Sequence, residues 1–304
     1  MPNAERMAWW RDHLAALLPE HDVRTRLEPG PVENARFVVV WKPEPGWIAR
    51  FPNLLATVSV GAGVDHVLAD PDYPPNLPII KTMGDDLTQR MREYVALHVL
   101  ALHRREPEIR ARVREGRWHQ VVAPPATRRR VGVMGLGALG RAAVATLQGL
   151  GFAVSGWSRS GGEIENMASF AGPGALLDFA AGCDIVVCLL PLTDDTRGIL
   201  DARLIAALPQ GACLLNAGRG RHVVEADLLD ALASGHIAHA TLDVLTEEPP
   251  PADHPFWTHP QVTLTCHTAS LVDPETGGRI IAANIRDFER AGRVADMADP
   301  ARGY

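Results

Sequence analysis

The sequence predicts an α/β protein, a doubly wound parallel sheet joined to a second α/β unit, and three observations predict it. At 304 residues the chain is about twice a typical domain length, so two cores are expected. After Arg130, apolar runs of strand length at 131–134, 153–157, 185–190, 212–216, 239–244 and 262–266 alternate with helical segments, the pattern of a parallel sheet covered on both faces. Hydrophobic residues make up 46% of the chain and charged residues 22%, a balance that supports packed cores and excludes a disordered chain.

The N-terminal third also alternates helix and strand. Met7, Trp10, Leu14, Leu17 and Leu18 mark one face of a helix over 4–18. The β-branched run Phe37-Val38-Val39-Val40 reads as a strand, and Leu54 to Val60 as another. The second strand runs into Gly61-Ala62-Gly63-Val64-Asp65, a small-residue turn whose bare backbone amides suit an anion. Apolar positions 87, 91, 94, 95, 98, 99 and 102 predict a helix of roughly 18 residues ending before Pro107. Between 104 and 130 lie nine arginines and three glutamates, the one basic concentration in the chain. Arg110, Arg112 and Arg114 fall on different faces of a short helix and few aromatics interleave, so a solvated or subunit-facing surface is expected rather than a nucleic-acid patch. Beyond the last strand, Pro274 opens a helical stretch reaching through Gly278 to Ala291, and there is no internal repeat.

A formal charge of -6 offers no global attraction to nucleic acid or an anionic membrane, and neither is expected as a partner. The longest apolar stretch, Ile185 to Leu190, is too short to cross a bilayer. The polar opening Met1 to Arg6 leads into a helical stripe rather than a signal-peptide core, so a cytoplasmic location is expected. Cys183, Cys188, Cys213 and Cys266 lie in or beside apolar strand-like runs with no Cys-x-x-Cys or Cys/His ligand spacing, and read as reduced core thiols with no metal site.

Val131 to Gly140 is an apolar strand leading into a Gly-x-Gly-x-x-Gly turn, followed by a helix over Arg141 to Leu150. Gly135 permits the tight turn, Gly137 lets a pyrophosphate approach the backbone, and Gly140 allows close helix packing, which makes this a Rossmann dinucleotide site. An NAD site usually carries an acid at the end of the next strand; Trp157-Ser158-Arg159-Ser160 stands there instead. Two hydroxyls and a guanidinium suit a 2′-phosphate, so NADP (NADPH) is the expected cofactor and NAD the lesser one.

Arg219, Asp243, Glu248 and His267 each fall at the C-terminal end of a predicted strand or in the loop after it, the edge where open α/β sheets bind ligands. In this order after a dinucleotide turn they resemble the D-isomer-specific 2-hydroxyacid dehydrogenase family, and the resemblance covers nearly the whole chain. Val60 to Asp65 is similar to the family's substrate-carboxylate turn and Leu190-Pro191-Leu192-Thr193 to its cofactor-side loop. Trp41, Gly84 to Tyr94, Trp157-Ser158-Arg159, His222-Val223-Val224-Glu225 and the terminal Ala301-Arg302-Gly303-Tyr304 resemble the branch that reduces glyoxylate and hydroxypyruvate.

The resemblance implies a discontinuous, flavodoxin-like substrate domain over 1–95 and 276–304, a dinucleotide domain over 96–275, an active site in the cleft and a homodimer. It assigns Arg219 to the substrate carboxylate, His267 to proton donation and Glu248 to keeping that histidine protonated. The implied cofactor contacts are Gly135, Gly137, Ala138, Leu139, Gly140, Ser158, Arg159, Ser160, Leu190, Pro191, Thr196, Ala217, Gly218, Asp243 and Ala269, and the substrate contacts Trp41, Gly61, Ala62, Gly63 and Arg219. Four departures stand out: Gly218 where Ala or Ser is common, Leu245 for a frequent Phe, Cys266 for the usual Pro, and Asp273 where an arginine is expected.

The implied reaction is NADPH-dependent reduction of small 2-oxo acids, glyoxylate to glycolate and hydroxypyruvate to D-glycerate, with a 2-oxo or 2-hydroxy acid as the small-molecule partner. One alternative is a D-2-hydroxyacid dehydrogenase of different substrate range. Another is a nicotinamide-sensing binding protein similar to the C-terminal-binding-protein corepressors, which needs a partner-binding tail or groove; the chain signals neither.

Overall fold

Turn chemistry and side-chain period account for most element boundaries in the structure, a computed structural model that describes residues 4–162, 164–299 and 303–304. The chain divides into two compact units, Met1–Leu87 with Leu271–Tyr304, and Thr88–Ser270. Ala301 and Arg302 of the terminal tetrapeptide lie outside the described residues.

The first unit opens with α1 (Ala4–Leu17), β1 (Phe37–Val40), β2 (Ala56–Ser59), the one-turn α2 (Asp65–Leu68) and β3 (Ile79–Lys81). α2 and β3 were not expected from the sequence, because four and three residues carry too little periodicity to register. β1, β2 and β3 pair in parallel in that order.

The predicted long helix is α3 (Asp85–His103), and Pro107 does not end it. The chain breaks at Arg105, in the left-handed region at φ 56°, and α4 (Glu106–Arg114) then begins with Pro107 in its first turn. A proline is tolerated there because its missing N–H has no intrahelical partner to lose.

Seven parallel strands form the sheet of the second unit: β4 (Arg130–Met134), β5 (Ala153–Ser158), β6 (Ala168–Ala171), β7 (Ile185–Cys188), β8 (Ala212–Asn216), β9 (Ile237–Leu242) and β10 (Val262–Leu264). Their order is β10-β9-β8-β7-β4-β5-β6, so the chain reverses direction across the sheet beside β4. β6 is an addition to the sequence reading, and its largely exposed, polar-interrupted segment explains why. The remaining helices of this unit are α5 (Ala138–Gly149), α6 (Leu176–Ala181), α7 (Ala202–Ala207) and α8 (Glu225–Ala233). α5 starts three residues earlier than the expected Arg141.

Both faces of this sheet are buried at its centre, and β7 shows how. Ile185 and Val187 join the cluster of Val95 and Val99 from α3 with Val144 and Leu147 from α5, while Val186 and Cys188 join Phe179, Leu204 and Leu228 from α6, α7 and α8. Alternate side chains of a strand point to opposite faces, so a continuous apolar run is required where both are covered.

The chain returns to the first unit through α9 (Pro274–Ala291), which packs on α1, and ends its sheet with β11 (Met297–Ala298), antiparallel to β3. Asp273, one of the four departures, caps α9: its Oδ2 accepts from the Thr276 backbone N–H and from Thr276 Oγ1, both at 2.9 Å.

Candidate active site

At the C-terminal edge of β4 the three motif glycines have distinct surroundings. Gly135 sits at φ +98°, and a Cβ there would lie 2.8 Å from the Leu189 carbonyl oxygen. A Cβ on Gly140 would lie 1.8 Å from the Gly135 oxygen, so helix and turn touch backbone to backbone. A Cβ on Gly137 would meet nothing within 4 Å. Gly137 and Ala138 are exposed at the head of α5, whose first N–H groups have no intrahelical acceptor. This is the cradle a pyrophosphate requires.

Past β5, Ser158 Oγ donates to the Gly161 carbonyl at 2.9 Å and Ser169 Oγ to Gly162 at 2.7 Å. The Ser158 proton therefore shapes the loop, leaving the exposed Arg159 and Ser160 as its outward groups; Arg159 Nη1 lies 3.8 Å from Asp195 Oδ2. In the loop after β7, Leu190 is buried. Thr196 Oγ1 donates to the Pro191 carbonyl at 2.7 Å and accepts from the Thr193 N–H at 2.8 Å, which makes Thr196 a staple of that loop.

The loop after β8 carries Ala217, Gly218 and Arg219. Asn216 Nδ2 donates to the Arg219 carbonyl at 2.9 Å, and Arg219 Nη1 donates to Gly218 O at 2.9 Å. Gly220 follows, and a Cβ on it would lie 1.9 Å from the Leu245 carbonyl carbon. The Arg219 loop is thereby packed backbone to backbone on the loop that carries Glu248.

Glu248 and His267 meet directly. His267 Nδ1 lies 2.8 Å from Glu248 Oε2, an imidazole N–H donating to a carboxylate, and Glu248 Oε1 accepts from the Leu245 N–H at 3.3 Å. Both side chains are partly exposed, at 31% for His267 and 23% for Glu248, so the pair is reachable from solvent.

Asp243, 4% exposed, organises the histidine loop. Its Oδ1 accepts from Thr265 Oγ1 at 2.6 Å and the Thr268 N–H at 2.8 Å, its Oδ2 from the Ala269 N–H at 3.0 Å, and its carbonyl from the His267 N–H at 2.6 Å. Tyr94 Oη lies 2.8 Å from Thr265 Oγ1, extending the network to α3. Cys266 and His267 both lie in the left-handed region, at φ 54° and 59°. Such residues cost on the order of 1 kcal/mol or more each, which the hydrogen bonds to Asp243 offset. A proline cannot reach positive φ, so this backbone excludes the residue expected at 266. Cys266 is also exposed, against the expectation of a core thiol, because β10 stops at Leu264 and the residue stands in the turn.

In the first unit, Trp41 and the small-residue turn come together: a Cβ on Gly61 would lie 3.3 Å from the Trp41 ring, and Trp41 packs on His66 at 4.7 Å between centroids. The amides of that turn are not all bare, since the Gly61 N–H reaches Ser59 Oγ at 3.4 Å and Ser59 Oγ donates to Gly63 O at 3.0 Å. Ala62 lies between them.

Three residues of the second unit escaped the reading of the sequence as site residues. Glu225 accepts from the Thr246 N–H at 3.2 Å and from His254 Nε2 at 3.1 Å, a second carboxylate–imidazole pair bracing the Glu248 loop, and His222 is fully buried beside Arg219. The partners of Glu225 lie 21 and 29 positions away and the Pro191 partner of His222 lies 31 away, so no local spacing signals them; Arg219, three positions from His222, is a local partner. Among the described residues no group of three or more His, Cys, Asp or Glu is placed to hold a metal, and no helix is long and apolar enough to cross a membrane.

The model of the family described as D-isomer specific 2-hydroxyacid dehydrogenase, NAD binding domain, matches residues 96–269, and the chain belongs to that family. It is 36% identical to glyoxylate/hydroxypyruvate reductase A of Serratia proteamaculans, over 99% of this chain and 97% of the relative. Among solved structures, a D-isomer specific 2-hydroxyacid dehydrogenase of Xanthobacter autotrophicus Py2, in complex with NADPH and MES, superposes with a TM-score of 0.92 at 41% identity, covering 100% of this chain and 98% of that one. An NADPH-dependent glyoxylate/hydroxypyruvate reductase of Sinorhizobium meliloti, in complex with NADP and sulfate, gives 0.86 at 33% identity, with 96% of each chain covered.

Proposed function

We propose that the protein reduces small 2-oxo acids, glyoxylate to glycolate and hydroxypyruvate to D-glycerate, with NADPH. The observation that carries this reading is the His267–Glu248 pair at 2.8 Å on the same sheet edge as the open Gly137 turn. The relatives named for this activity favour it over a nicotinamide-sensing binding protein.

The residues present fit a dinucleotide: Gly135, Gly137, Ala138, Leu139 and Gly140 cradle a pyrophosphate, and Arg159 and Ser160 face outward where a 2′-phosphate would be held. Leu190, Pro191, Ala217, Gly218 and Ala269 would line its nicotinamide side, with Thr196 and Asp243 shaping the loops. When bound, NADPH supplies the hydride. Arg219 receives the substrate carboxylate, with Trp41, Gly61, Ala62 and Gly63 as further substrate contacts. His267 gives the nascent alkoxide its proton, and Glu248, on Nδ1, orients the ring so that Nε2 is the donating atom. Asp243 holds the backbone of the histidine loop in place while that proton moves.

The protein acts as a cytoplasmic homodimer in this reading. Leu97 and Leu100 on α3, Val113 on α4, and Trp118 and Val122 just beyond are exposed apolar side chains of the second unit, which a second copy would cover.

Absorbance of the reduced nicotinamide, followed with a panel of 2-oxo acids and both cofactors, tests the proposal. Glyoxylate and hydroxypyruvate are expected to outpace branched and aromatic acids. Formation of L-glycerate, or a preference for phenylpyruvate, would overturn the substrate assignment.

A further inference from the structure

We infer that His222 is a positioning residue whose two ring nitrogens set two different loops of the site, Nδ1 fixing the backbone of Arg219 and Nε2 fixing the Pro191 carbonyl. The inference rests on the roles proposed above for Arg219 and for the Leu190–Pro191 loop.

His222 has no exposed surface. The Arg219 backbone N–H points at its Nδ1 at 3.0 Å, and a backbone amide can only donate, so Nδ1 is the acceptor. The ring proton is therefore on Nε2, which lies 3.2 Å from the Pro191 carbonyl oxygen, a group that can only accept. One neutral tautomer satisfies both contacts, and reversing it breaks both. Cys188 Sγ, 3.6 Å from Nδ1, adds a weaker donor on the same side, and burial pushes that thiol up to about 12, so it keeps its proton.

The consequences differ at the two nitrogens. At Nδ1, His222 completes the fastening of Arg219, whose carbonyl Asn216 already holds at 2.9 Å. At Nε2, it shares the Pro191 oxygen with Thr196 Oγ1, so the cofactor-side loop is held from within and from the Arg219 side. Gly218 explains how close the loops come. A Cβ there would lie 2.9 Å from both His222 Nδ1 and the Leu190 carbonyl oxygen, so the Ala or Ser common at this position in the family would have to move clear of both.

A histidine that merely filled space would fail in one way; this one is expected to fail in two. His222→Asn puts an amide oxygen near the place of Nδ1 and keeps the Arg219 contact while losing Pro191. His222→Gln puts an amide nitrogen near the place of Nε2 and does the reverse. The loss of one such hydrogen bond corresponds to about a three- to tenfold effect. His222→Gln should raise the KM for glyoxylate by that factor and leave the Kd for NADPH, read by fluorescence, within about twofold. His222→Asn should raise the Kd for NADPH and leave the KM for glyoxylate near parental. Equal changes in both quantities in both variants, or no change in either, would overturn the inference.

Nitrogen NMR of the parental protein tests the tautomer even if a variant does not fold: Nε2 should carry the only ring proton of His222 at neutral pH, and a protonated Nδ1 would sink the proposal. Arg219→Ala separates the two levels. If it abolishes glyoxylate reduction while the His222 variants show no split, only this inference fails; if it leaves reduction intact, the assignment of Arg219 falls with it.

Discussion

At the scale of single residues, the proposed site divides into groups assigned to react and groups that hold them. His267 is held at Nδ1 by Glu248, which leaves Nε2 as the atom suited to protonate an alkoxide. A positioned general acid contributes about 10²–10⁴-fold, so His267→Ala is expected to lose turnover by that factor while the Kd for NADPH stays put. Near-parental turnover in that variant would remove His267 from the mechanism. Arg219→Lys keeps the charge but loses the planar fork, and should raise KM and lower kcat together in steady-state assays. Cofactor choice is set elsewhere. Because Ser158 spends its proton on Gly161, the proposed 2′-phosphate contact falls chiefly to Arg159. Arg159→Ala is expected to reduce the NADPH-to-NADH ratio of kcat/KM by about ten- to a hundredfold, the worth of one charge-assisted contact; an unchanged ratio would contradict the assignment.

Between elements, the spacing of loops sets how the residues of the site meet. Gly220 lets the backbone carrying Arg219 lie against Leu245 and Thr246, at the head of the loop that carries Glu248. Gly220→Ala must drive those loops apart, and a displacement of about 1 Å can cost on the order of a hundredfold in rate. Steady-state kinetics should show lower kcat with the protein still folded by circular dichroism. β9 and β10 are joined by a partly buried polar contact, His239 Nε2 to Thr263 Oγ1 at 2.9 Å. Burial first, and the neighbouring His259 second, lower the His239 pKa to about 4. The unfolded chain then binds the extra proton first, so stability is lost as pH falls from about 6.5 to about 4, by up to about 3 kcal/mol. His239→Gln, which does not titrate, should flatten that part of a urea-midpoint profile measured across this range.

At the scale of the whole molecule, four of the nine arginines in the basic stretch are paired with its three glutamates, and the stretch keeps a net positive charge. Arg105 and Arg112 pair with Glu108, Arg110 with Glu106 and Arg117 with Glu115, and Val113, Trp118 and Val122 are exposed in the same segment. Trp118 is 94% exposed, and the proposed dimer would cover its ring. Sedimentation is expected to give a dimer for the parental protein and a monomer for a Trp118→Glu, Val122→Glu variant. A monomeric parent would refute the proposed assembly.

The seven-stranded sheet, the Gly135–Gly140 turn and the ionisable residues at the strand ends were legible in the sequence because each rests on local rules. Strand period, helix period and the φ demanded of a glycine all act within about ten residues. The fold of the second unit was therefore nearly complete on paper, short of β6 and a few strand ends. What only the tertiary structure decided is how those residues are held. Asp243 and His222 became organisers, Cys266 moved from core to turn, Glu225 acquired His254, and Gly220 set the distance between the Arg219 and Glu248 loops. Each of these depends on groups brought together from distant parts of the chain. A hydrogen bond is a matter of about 3 Å in space, and sequence spacing carries no record of which distant donor arrives there.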